Sequence, residues 1–428
     1  MARFLFATWE GGGHVQPMLL AARGLAERGH AVLAISDACN APDAAALGIP
    51  FQPWRTAPSR PDKSPAGDPV KDWLVQSPFE MISALCDKLM FGPSADFARD
   101  AAAAIDAFGP DVVVSHELLF GVMAAAEAKG KPFAAFAANL WSLPTIPGMT
   151  PFGVGMPPPA DEEQLAVNTR LRAATREAFQ RGRPALNEAR AALGLAPLAD
   201  VFDQLDRARR ILLAVSRAFD FPLALPEPYR YVGPYFADPA WAGEWRAPWP
   251  EPLARPLVLV SFSSMYQAQE AVLAQVIEAL GTLPVQGLVT LGPALAPADF
   301  PAPANVAVVQ GAPHSLLYPK AAVVVTHAGH ATATRPLMDG VPLLCIPLNR
   351  DQPDNAIRLV ERGAALKLTR HDSAADIAPA VMRLIEEPAF AAAARSLGAA
   401  IAADADARSA GAELLALAAQ PLPEPRSL

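Results

Sequence analysis

This chain of 428 residues contains few cysteines and carries no net positive charge. Its three cysteines, Cys39, Cys86 and Cys345, are too few and too far apart for a disulfide framework or a structural zinc site. We therefore predict a reducing, cytoplasmic location. Acidic residues outnumber basic ones by 43 to 35, which gives a formal net charge of −8. This balance argues against electrostatic binding to nucleic acid or to an anionic membrane.

The sequence also lacks an uninterrupted apolar run that would span a membrane. The longest charge-free stretch, Pro132–Ala160, has sufficient length, but several prolines interrupt it. The apolar amino-terminal run stops at Glu10, before the hydrophobic region of a secretory signal could form. We therefore expect no integral membrane segment and no secretory leader.

Hydrophobic residues make up 52% of the sequence, enough to fill large cores. Short apolar runs such as Arg3–Thr8 alternate with longer Ala/Leu-rich helical patterns such as Gln16–Arg28. This alternation predicts an α/β protein with parallel sheets covered by helices on both faces. The same rhythm restarts at Leu257, which indicates two α/β domains.

The densest cluster of prolines marks the boundary between these domains. We assign residues 1–220 to an amino-terminal domain and residues 221–256 to a Pro-rich linker. Residues 257–404 form the second domain. Residues 405–428 form a tail, part of which we expect to pack back on the first domain.

A glycine-rich turn, WEGGGHVQP over residues 9–17, follows the first predicted strand. Glycines permit a sharp turn at the carboxyl end of a strand, the edge at which open α/β sheets bind ligands. A dinucleotide fingerprint would require glycine where Gln16 stands, so a NAD site is disfavoured. From its position, His14 is either a general base that projects into a cleft or a histidine that caps the next helix.

Two polar turns in the second half also follow predicted strands. His327 lies at the end of one strand, Gly329 allows close backbone approach, and Thr332 offers a hydroxyl beside helix N–H groups that attract anions. Asp351 and Gln352 follow a later strand, and side by side they can accept from and donate to neighbouring hydroxyls, as sugar binding requires. Each turn could instead be an ordinary solvated connection.

In combination, these segments resemble the UDP-glycosyltransferase superfamily (glycosyltransferase family 1), bacterial natural-product type. THAGHAT over 326–332 and DGVPLLCIPLNRDQPDN over 339–355 resemble its donor-binding signature. GGGHVQPMLLAARGLAERGHAV over 11–32 is similar to its GHxxP opening. PDVVVSHELLFG, YVGP and VSFSS match further motifs in the same order, so the resemblance extends over nearly the whole chain.

The resemblance implies a GT-B fold, in which two Rossmann-like domains face each other across a cleft. The second domain would hold a nucleotide sugar and the first an acceptor. His14 would take the proton of an acceptor hydroxyl, whose oxygen attacks the anomeric carbon and inverts its configuration. The residues that would hold the nucleotide sugar are Gly13, Ser264, His314, His327, Gly329, His330, Thr332, Asp351 and Gln352.

The resemblance also implies that no metal or other cofactor is needed. Side-chain and backbone donors and a helix dipole would stabilise the leaving diphosphate in place of a metal. The one Asp-x-Asp motif, at Asp404 and Asp406, is interpreted as a solvated helix face.

The predicted catalytic residues differ from the family's pattern at one position. In the family an aspartate orients the base, but His116 stands at that position and Glu117 follows it. Either His116 or Glu117 could therefore assist His14, or both could be plain strand-end residues.

The predicted nucleotide-binding residues differ from the family's pattern at two positions. Gly311 replaces the tryptophan that stacks on uracil, and Arg335 replaces the acidic residue that holds the ribose hydroxyls. dTDP therefore becomes an alternative to UDP. Arg335 could donate to a ribose oxygen or reach a phosphate, but we expect it to turn outward and pair with Asp339, four residues on along one helix face.

We therefore expect an inverting hexosyltransferase that uses UDP-glucose or a similar donor and acts as a monomer or weak dimer. The alternatives are a dTDP-deoxysugar transferase of antibiotic-type biosynthesis and a non-catalytic GT-B binding protein. The acceptor would be lipophilic, such as a polyphenol, polyketide or terpenoid, because several apolar side chains could line its pocket. They are Trp54, Trp73, Met81, Phe91, Phe133, Phe136, Trp141, Met149, Phe152 and Met156.

Overall fold

The strands form two separate parallel sheets in the computed structural model, which describes residues 1–75, 77–238, 245–407 and 409–420. Within these residues the first sheet comprises β1 (Arg3–Ala7), β2 (Ala31–Ser36), β3 (Phe51–Pro53), β4 (Val112–His116), β5 (Phe133–Ala137), β6 (Arg210–Leu213) and β7 (Tyr229–Tyr231). The second comprises β8 (Leu257–Ser261), β9 (Gln286–Thr290), β10 (Val306–Val309), β11 (Ala321–Thr326), β12 (Leu343–Cys345) and β13 (Ala365–Lys367). Their orders are β3-β2-β1-β4-β5-β6-β7 and β10-β9-β8-β11-β12-β13.

Helices connect the strands and cover the sheets. In the first half they are α1 (Val15–Ala26), α2 (Ala41–Ala46), α3 (Pro78–Leu85), α4 (Ser94–Phe108), α5 (Phe120–Ala128), α6 (Glu162–Phe179) and α7 (Arg183–Ala192). In the second half they are α8 (Glu270–Gly281), α9 (His330–Thr334), α10 (Gln352–Val360), α11 (Ala374–Glu386), α12 (Pro388–Ala407) and α13 (Ala410–Ala418). No helix within the described ranges is both long and apolar enough to cross a membrane.

Each sheet is buried on both faces, which explains the continuous apolar strands. In β1, Phe4 and Phe6 belong to one hydrophobic cluster, whereas Leu5 and Ala7 belong to another on the opposite face. Successive side chains of a strand point to opposite faces, so a strand with helices on both sides must be apolar throughout. The predicted α/β class with two Rossmann-like domains is confirmed.

The first sheet takes its edge strand from the range that the sequence assigned to the linker. Strand β7 lies within residues 221–256 and pairs with β6 in parallel. An edge strand tolerates neighbouring prolines because one side of its backbone needs no partner. Proline density alone therefore placed the end of the first domain too early.

The tail returns to the first domain. Ala410, Leu414 and Leu417 of α13 are buried in the same cluster as Met18 of α1. Glu413 accepts a hydrogen bond from Arg210 of β6 at 2.9 Å. The described part of the tail thus packs where the sequence predicted.

Two buried carboxylates join the domains elsewhere. Asp354 of α10 accepts hydrogen bonds from the N–H groups of Gly153 and Gly155, at 2.6 and 2.8 Å. Asp220 accepts two from the guanidinium of Arg358, at 3.0 and 2.8 Å. Helix α10 of the second domain is therefore held directly against the first.

Candidate active site

A cavity of about 250 Å³ lies between the domains, and the segments that follow β1, β8, β11 and β12 form much of its wall. It brings together the predicted base and the predicted nucleotide-sugar residues, which are Gly13, His14, Ser264, His314, His327, Gly329, His330, Thr332, Asp351 and Gln352. A larger cavity of about 580 Å³ lies beside β7 and contains none of these residues. The smaller cavity is therefore the candidate site.

The glycine turn after β1 lets the second domain approach. Gly12 has a φ of +74°, which glycine adopts far more readily than other residues. A Cβ at Gly12 would lie 2.8 Å from the sulfur of Met265 in the second domain. A Cβ at Gly13 would meet nothing within 4 Å. Gly13 lines the cavity, but the steric need for glycine falls on Gly12.

His14 precedes α1, yet its side chain makes no capping hydrogen bond. Its Nδ1 lies 2.8 Å from His116 Nε2, and its Nε2 lies 3.3 Å from the Asn139 amide nitrogen. Burial, followed by the positive charge of Arg350, lowers the pKa of His14 to about 3. The ring is therefore neutral at physiological pH. These contacts suit a general base and not a helix cap.

His116 ends β4 and connects His14 to Glu117. Its Nδ1 lies 3.1 Å from Glu117 Oε2 and accepts a hydrogen bond from the Leu118 N–H at 3.2 Å. Burial, and to a smaller extent the charge of Asp351, raises the pKa of Glu117 to about 8. The sequence left open which of the two residues assists His14, and the structure places them in series.

These three side chains also offer a spacing that a metal ion could use. One ligand atom from each of His14, His116 and Glu117 lies within 4.8 Å of the others. The hydrogen bond between the two rings, however, occupies their facing nitrogens. This arrangement favours proton handling over metal binding.

His327 follows β11 on the opposite wall of the cavity. Its ring lies against Phe262, with the two planes 26° apart. Gly329 makes room for this ring, because a Cβ there would lie 2.6 Å from His327 Nε2. Burial, followed by the charge of Arg350, lowers the pKa of His327 to about 3. Its ring also hydrogen-bonds the backbone of Ser261, so the single N–H of the neutral ring can reach an anion only from the other nitrogen.

His330 and Thr332 lie in α9. Neither ring nitrogen of His330 makes a hydrogen bond of ordinary geometry among the described residues. Burial lowers the pKa of His330 to about 4, partly offset by the Asn355 amide. The Thr332 hydroxyl donates to the Gly329 carbonyl at 3.0 Å.

Helix α9 does not extend to Asp339, as the expected pairing of Arg335 with Asp339 along one helix face would require. It stops at Thr334 and continues as a 3₁₀ turn over Arg335–Asp339. Pro336 has no N–H to continue the α-helical ladder. The dipole of α9 is correspondingly small.

Asp351 and Gln352 do not act as an equal pair. Gln352 holds its own loop, since its Oε1 accepts two backbone N–H groups at 2.8 and 3.1 Å and its Nε2 donates to Gln267 at 2.9 Å. Asp351 accepts hydrogen bonds from the side chains of Asn355, at 2.8 Å, and Asn139. Burial raises the pKa of Asp351. Asp351 therefore has more free capacity for a sugar hydroxyl.

Arg350 and Asn139 complete the site, and sequence reasoning missed both. Arg350 lines the cavity with a φ of +59° and donates to the Asp72 carboxylate of the first domain. Asn139, two residues beyond β5, contacts His14 and hydrogen-bonds Asp351. Both follow strands as the predicted residues do, but polar residues after strands are too common to be singled out.

Arg335 does not pair with Asp339 as expected. Its Nη1 donates to Asp238, from the segment between the domains, at 2.6 Å. Asp238 also accepts from the hydroxyl and the N–H of Ser315. The guanidinium lies 5.6 Å from the centre of the Tyr318 ring. A carboxylate, that of Asp238, thus lies near position 335, but Arg335 and Ser315 already occupy its oxygens.

Both ring nitrogens of His314 already have protein partners. Nε2 lies 3.0 Å from the Thr290 hydroxyl and Nδ1 lies 3.2 Å from the Tyr318 hydroxyl. Burial lowers the pKa of His314 to about 4. His314 therefore shapes the wall of the cavity, with no ring nitrogen left over for a nucleotide.

Most of the apolar residues expected around the acceptor belong to the core instead. None of the ten lines the candidate cavity. Six are buried in the clusters beneath the first sheet, namely Trp54, Phe91, Phe133, Phe136, Trp141 and Met149. Trp73, Met81, Phe152 and Met156 are half-buried. Strands of a parallel sheet need such residues for packing, so composition alone does not identify a pocket.

Asp404 is not the solvated residue that the sequence suggested. Its Oδ2 accepts from the Ser216 hydroxyl at 2.6 Å and from the Ala218 N–H at 2.8 Å. Asp404 therefore ties α12 to the first domain. The side chain of Asp406 lies outside the described part of the chain.

Comparisons with known proteins agree with this geometry. The family described as UDP-glucoronosyl and UDP-glucosyl transferase matches residues 195–404. 4'-Demethylrebeccamycin synthase of Lentzea aerocolonigenes is 30% identical over 407 residues, covering 91% of this chain and 93% of that protein. O-mycaminosyltylonolide 6-deoxyallosyltransferase of Streptomyces fradiae is 27% identical over 94% of each protein.

Solved structures show the fold. The glycotransferase of kitacinnamycin matches with a TM-score of 0.75 at 20% identity, over 97% of this chain and 98% of that one. The glycosyltransferase VinC in complex with dTDP matches with a TM-score of 0.67 at 21% identity, over 97% and 99%. The predicted GT-B fold is confirmed.

Proposed function

The chain belongs to the UDP-glycosyltransferase family and is a glycosyltransferase of natural-product biosynthesis; we propose that it transfers a hexose from a nucleoside diphosphate sugar to a hydroxyl of a small lipophilic acceptor. The observation that carries the proposal is the position of Asn139. Its amide contacts His14 of the first domain and hydrogen-bonds Asp351 of the second. A base and a sugar-binding carboxylate thus converge on one point of the cleft.

The chemistry follows from this convergence. The acceptor hydroxyl gives its proton to His14 Nε2, and the oxygen forms a bond to the anomeric carbon. The bond between that carbon and the diphosphate oxygen breaks, and the diphosphate leaves with the electron pair. The base belongs to the first domain and the proposed diphosphate donors to the second, so we propose that attack comes from the face opposite the diphosphate and that the configuration inverts.

The diphosphate is held by neutral donors in this proposal. His327, His330 and Ser264 line the cavity and can donate to its oxygens, and Thr332 can do so once its hydroxyl turns away from the Gly329 carbonyl. We therefore propose that the reaction needs no added metal. Transfer that is lost with EDTA and restored by a divalent ion would contradict this part.

The nucleotide is proposed to be UDP or dTDP with little preference. Arg335 accepts nothing, and Asp238 is already bonded to Arg335 and Ser315, so neither of these two residues offers the ribose 2′-hydroxyl a free carboxylate acceptor. We expect kcat/KM for UDP-glucose and dTDP-glucose to differ by less than about tenfold. The dTDP complex of VinC supports the alternative of a dTDP-deoxysugar donor. A hundredfold preference for UDP-glucose would show that another residue binds the ribose.

The acceptor class rests on the relatives, whose names are those of antibiotic glycosyltransferases. The test is mass-detected transfer from both donors onto a panel of phenols and polyketides. His14→Ala should lower kcat by about 10²–10⁴ and leave donor binding nearly intact, because only the base is removed. The exposed His371 provides a matched control through His371→Ala. Unchanged transfer by His14→Ala would refute the role of His14.

A further inference from the structure

His14 can act as a base only in one of its two neutral tautomers. Nε2 must be free of its proton to receive that of the acceptor, so the ring proton must lie on Nδ1. Nδ1 faces His116 Nε2 at 2.8 Å. The His116 nitrogen must then act as the hydrogen-bond acceptor.

The active tautomer of His14 also fixes the tautomer of His116. When its Nε2 accepts, a neutral His116 carries its own proton on Nδ1. Two groups lie near this nitrogen: the Glu117 carboxylate at 3.1 Å and the Leu118 N–H at 3.2 Å. The carboxylate stabilises a proton on Nδ1, whereas the backbone N–H opposes it.

The competing arrangement inactivates the base. If Leu118 donates to His116 Nδ1, the proton of His116 lies on Nε2 and is donated to His14 Nδ1. His14 then carries its proton on Nε2, where the acceptor hydroxyl must bind. An ionised Glu117 carboxylate favours the active arrangement because it attracts the proton on Nδ1, and the Asn139 amide nitrogen, 3.3 Å from His14 Nε2, favours it too because it can donate only to an unprotonated Nε2.

We propose that Glu117, acting through His116, is a positioning residue that selects the active tautomer of His14 and stabilises the imidazolium formed when His14 takes the acceptor proton. This inference rests on the proposed function and departs from a base oriented directly by one carboxylate. Glu117 is suited to it because the side chain is buried and Oε2, 3.1 Å from His116 Nδ1, makes no hydrogen bond of ordinary geometry to any described residue and is free to accept one. His14, His116 and Asp351 are the titratable groups that bear on it.

The main test is Glu117→Gln, measured with two acceptors. With an alcohol acceptor, which must lose a proton, we expect kcat to fall by about 10²-fold or more while KM for the donor changes little. With an acidic nitrophenol, already ionised at the assay pH, the loss should be small because no base is needed. Glu386→Gln, at an exposed position, is the control and should behave as the wild type.

A second readout is the pH profile with the alcohol acceptor. Burial raises the pKa of Glu117 to about 8, so wild-type kcat should increase as pH rises through this value. The profile of Glu117→Gln should be flat there, because the amide does not titrate. Calorimetry with the nucleoside diphosphate should give equal affinities for both proteins.

The possible results are distinguishable. An equal loss with both acceptors, or no loss with the alcohol, would overturn the inference while leaving His14 as the base. If His14→Ala transfers at the wild-type rate, or the wild type transfers nothing, the proposed function itself fails. Activity that requires added zinc would also overturn the inference, since the three side chains would then bind a metal.

Discussion

Gly12 offers a sharp test of how the domains meet. Gly12→Ala places a Cβ on a residue with a φ of +74°, which costs about 1–2 kcal/mol for an L-residue. The same Cβ would lie 2.8 Å from the sulfur and 3.0 Å from Cγ of Met265 in the other domain. The first cost is local to the turn, whereas the second arises only when the cleft is closed.

The two costs can be measured separately. The backbone strain should lower the melting temperature by about 2–8 °C, because 1 kcal/mol corresponds to about 2–4 °C in a domain of this size. The interdomain contact should weaken donor binding, measured by calorimetry. Adding Met265→Ala should restore the affinity but not the melting temperature, with Met265→Ala alone completing the cycle.

Gly29→Ala is the matched control, since Gly29 has a φ of +82° and a Cβ there meets nothing within 4 Å. It should lower the melting temperature in the same way but leave donor binding unchanged. The reasoning is refuted if Gly12→Ala melts as the wild type does, or if Gly29→Ala weakens donor binding as much as Gly12→Ala.

Three further predictions concern the second domain and its junction. His327→Ala should weaken binding of the nucleoside diphosphate alone by about 1–3 kcal/mol, whereas Asp351→Ala should not; calorimetry separates them, and equal losses would refute the division of roles. Burial raises the pKa of Asp354 to about 6, above its ordinary value, so the stability it contributes is present at low pH and lost as pH rises through 6. The melting temperature of the wild type should therefore fall between about pH 4 and 6 relative to that of Asp354→Asn, and parallel profiles would contradict this. Asp220→Ala leaves the guanidinium of Arg358 buried without its partner, and it should therefore destabilise the protein by about 3–5 kcal/mol in thermal unfolding. A loss of stability below about 1 kcal/mol would contradict this prediction.

The sequence predicted the regular part of the fold because long apolar strands and amphipathic helices have clear periodicities. It did not reveal β13, only three residues long, or α6, whose residues are mostly exposed and polar. It extended α9 to Asp339 because the pattern continued through Pro336. Short edge strands and exposed helices are fixed by tertiary packing, which local patterns do not record.

The site was predictable where a single strand end supplied the residue. His14, His327 and Asp351 each follow one strand, and parallel strands bring their carboxyl ends to one edge. Asn139 and Asp238 acquire their roles only through partners distant in the chain. The apolar residues around Phe133 failed as acceptor candidates because core and pocket have the same composition.

His116→Asp allows a last prediction, since it restores the carboxylate typical of the family. In this protein that change places a second carboxylate beside Glu117, in a buried site that also contains Asp351. Neighbouring buried carboxylates do not all ionise, so the pKa of at least one rises further. We therefore expect His116→Asp alone to be less active with an alcohol acceptor than the double variant His116→Asp/Glu117→Gln, in which one carboxylate remains to orient His14. The test compares kcat for the two variants. A single variant at least as active as the double one would mean that Glu117 does not hinder ionisation of the carboxylate introduced at position 116.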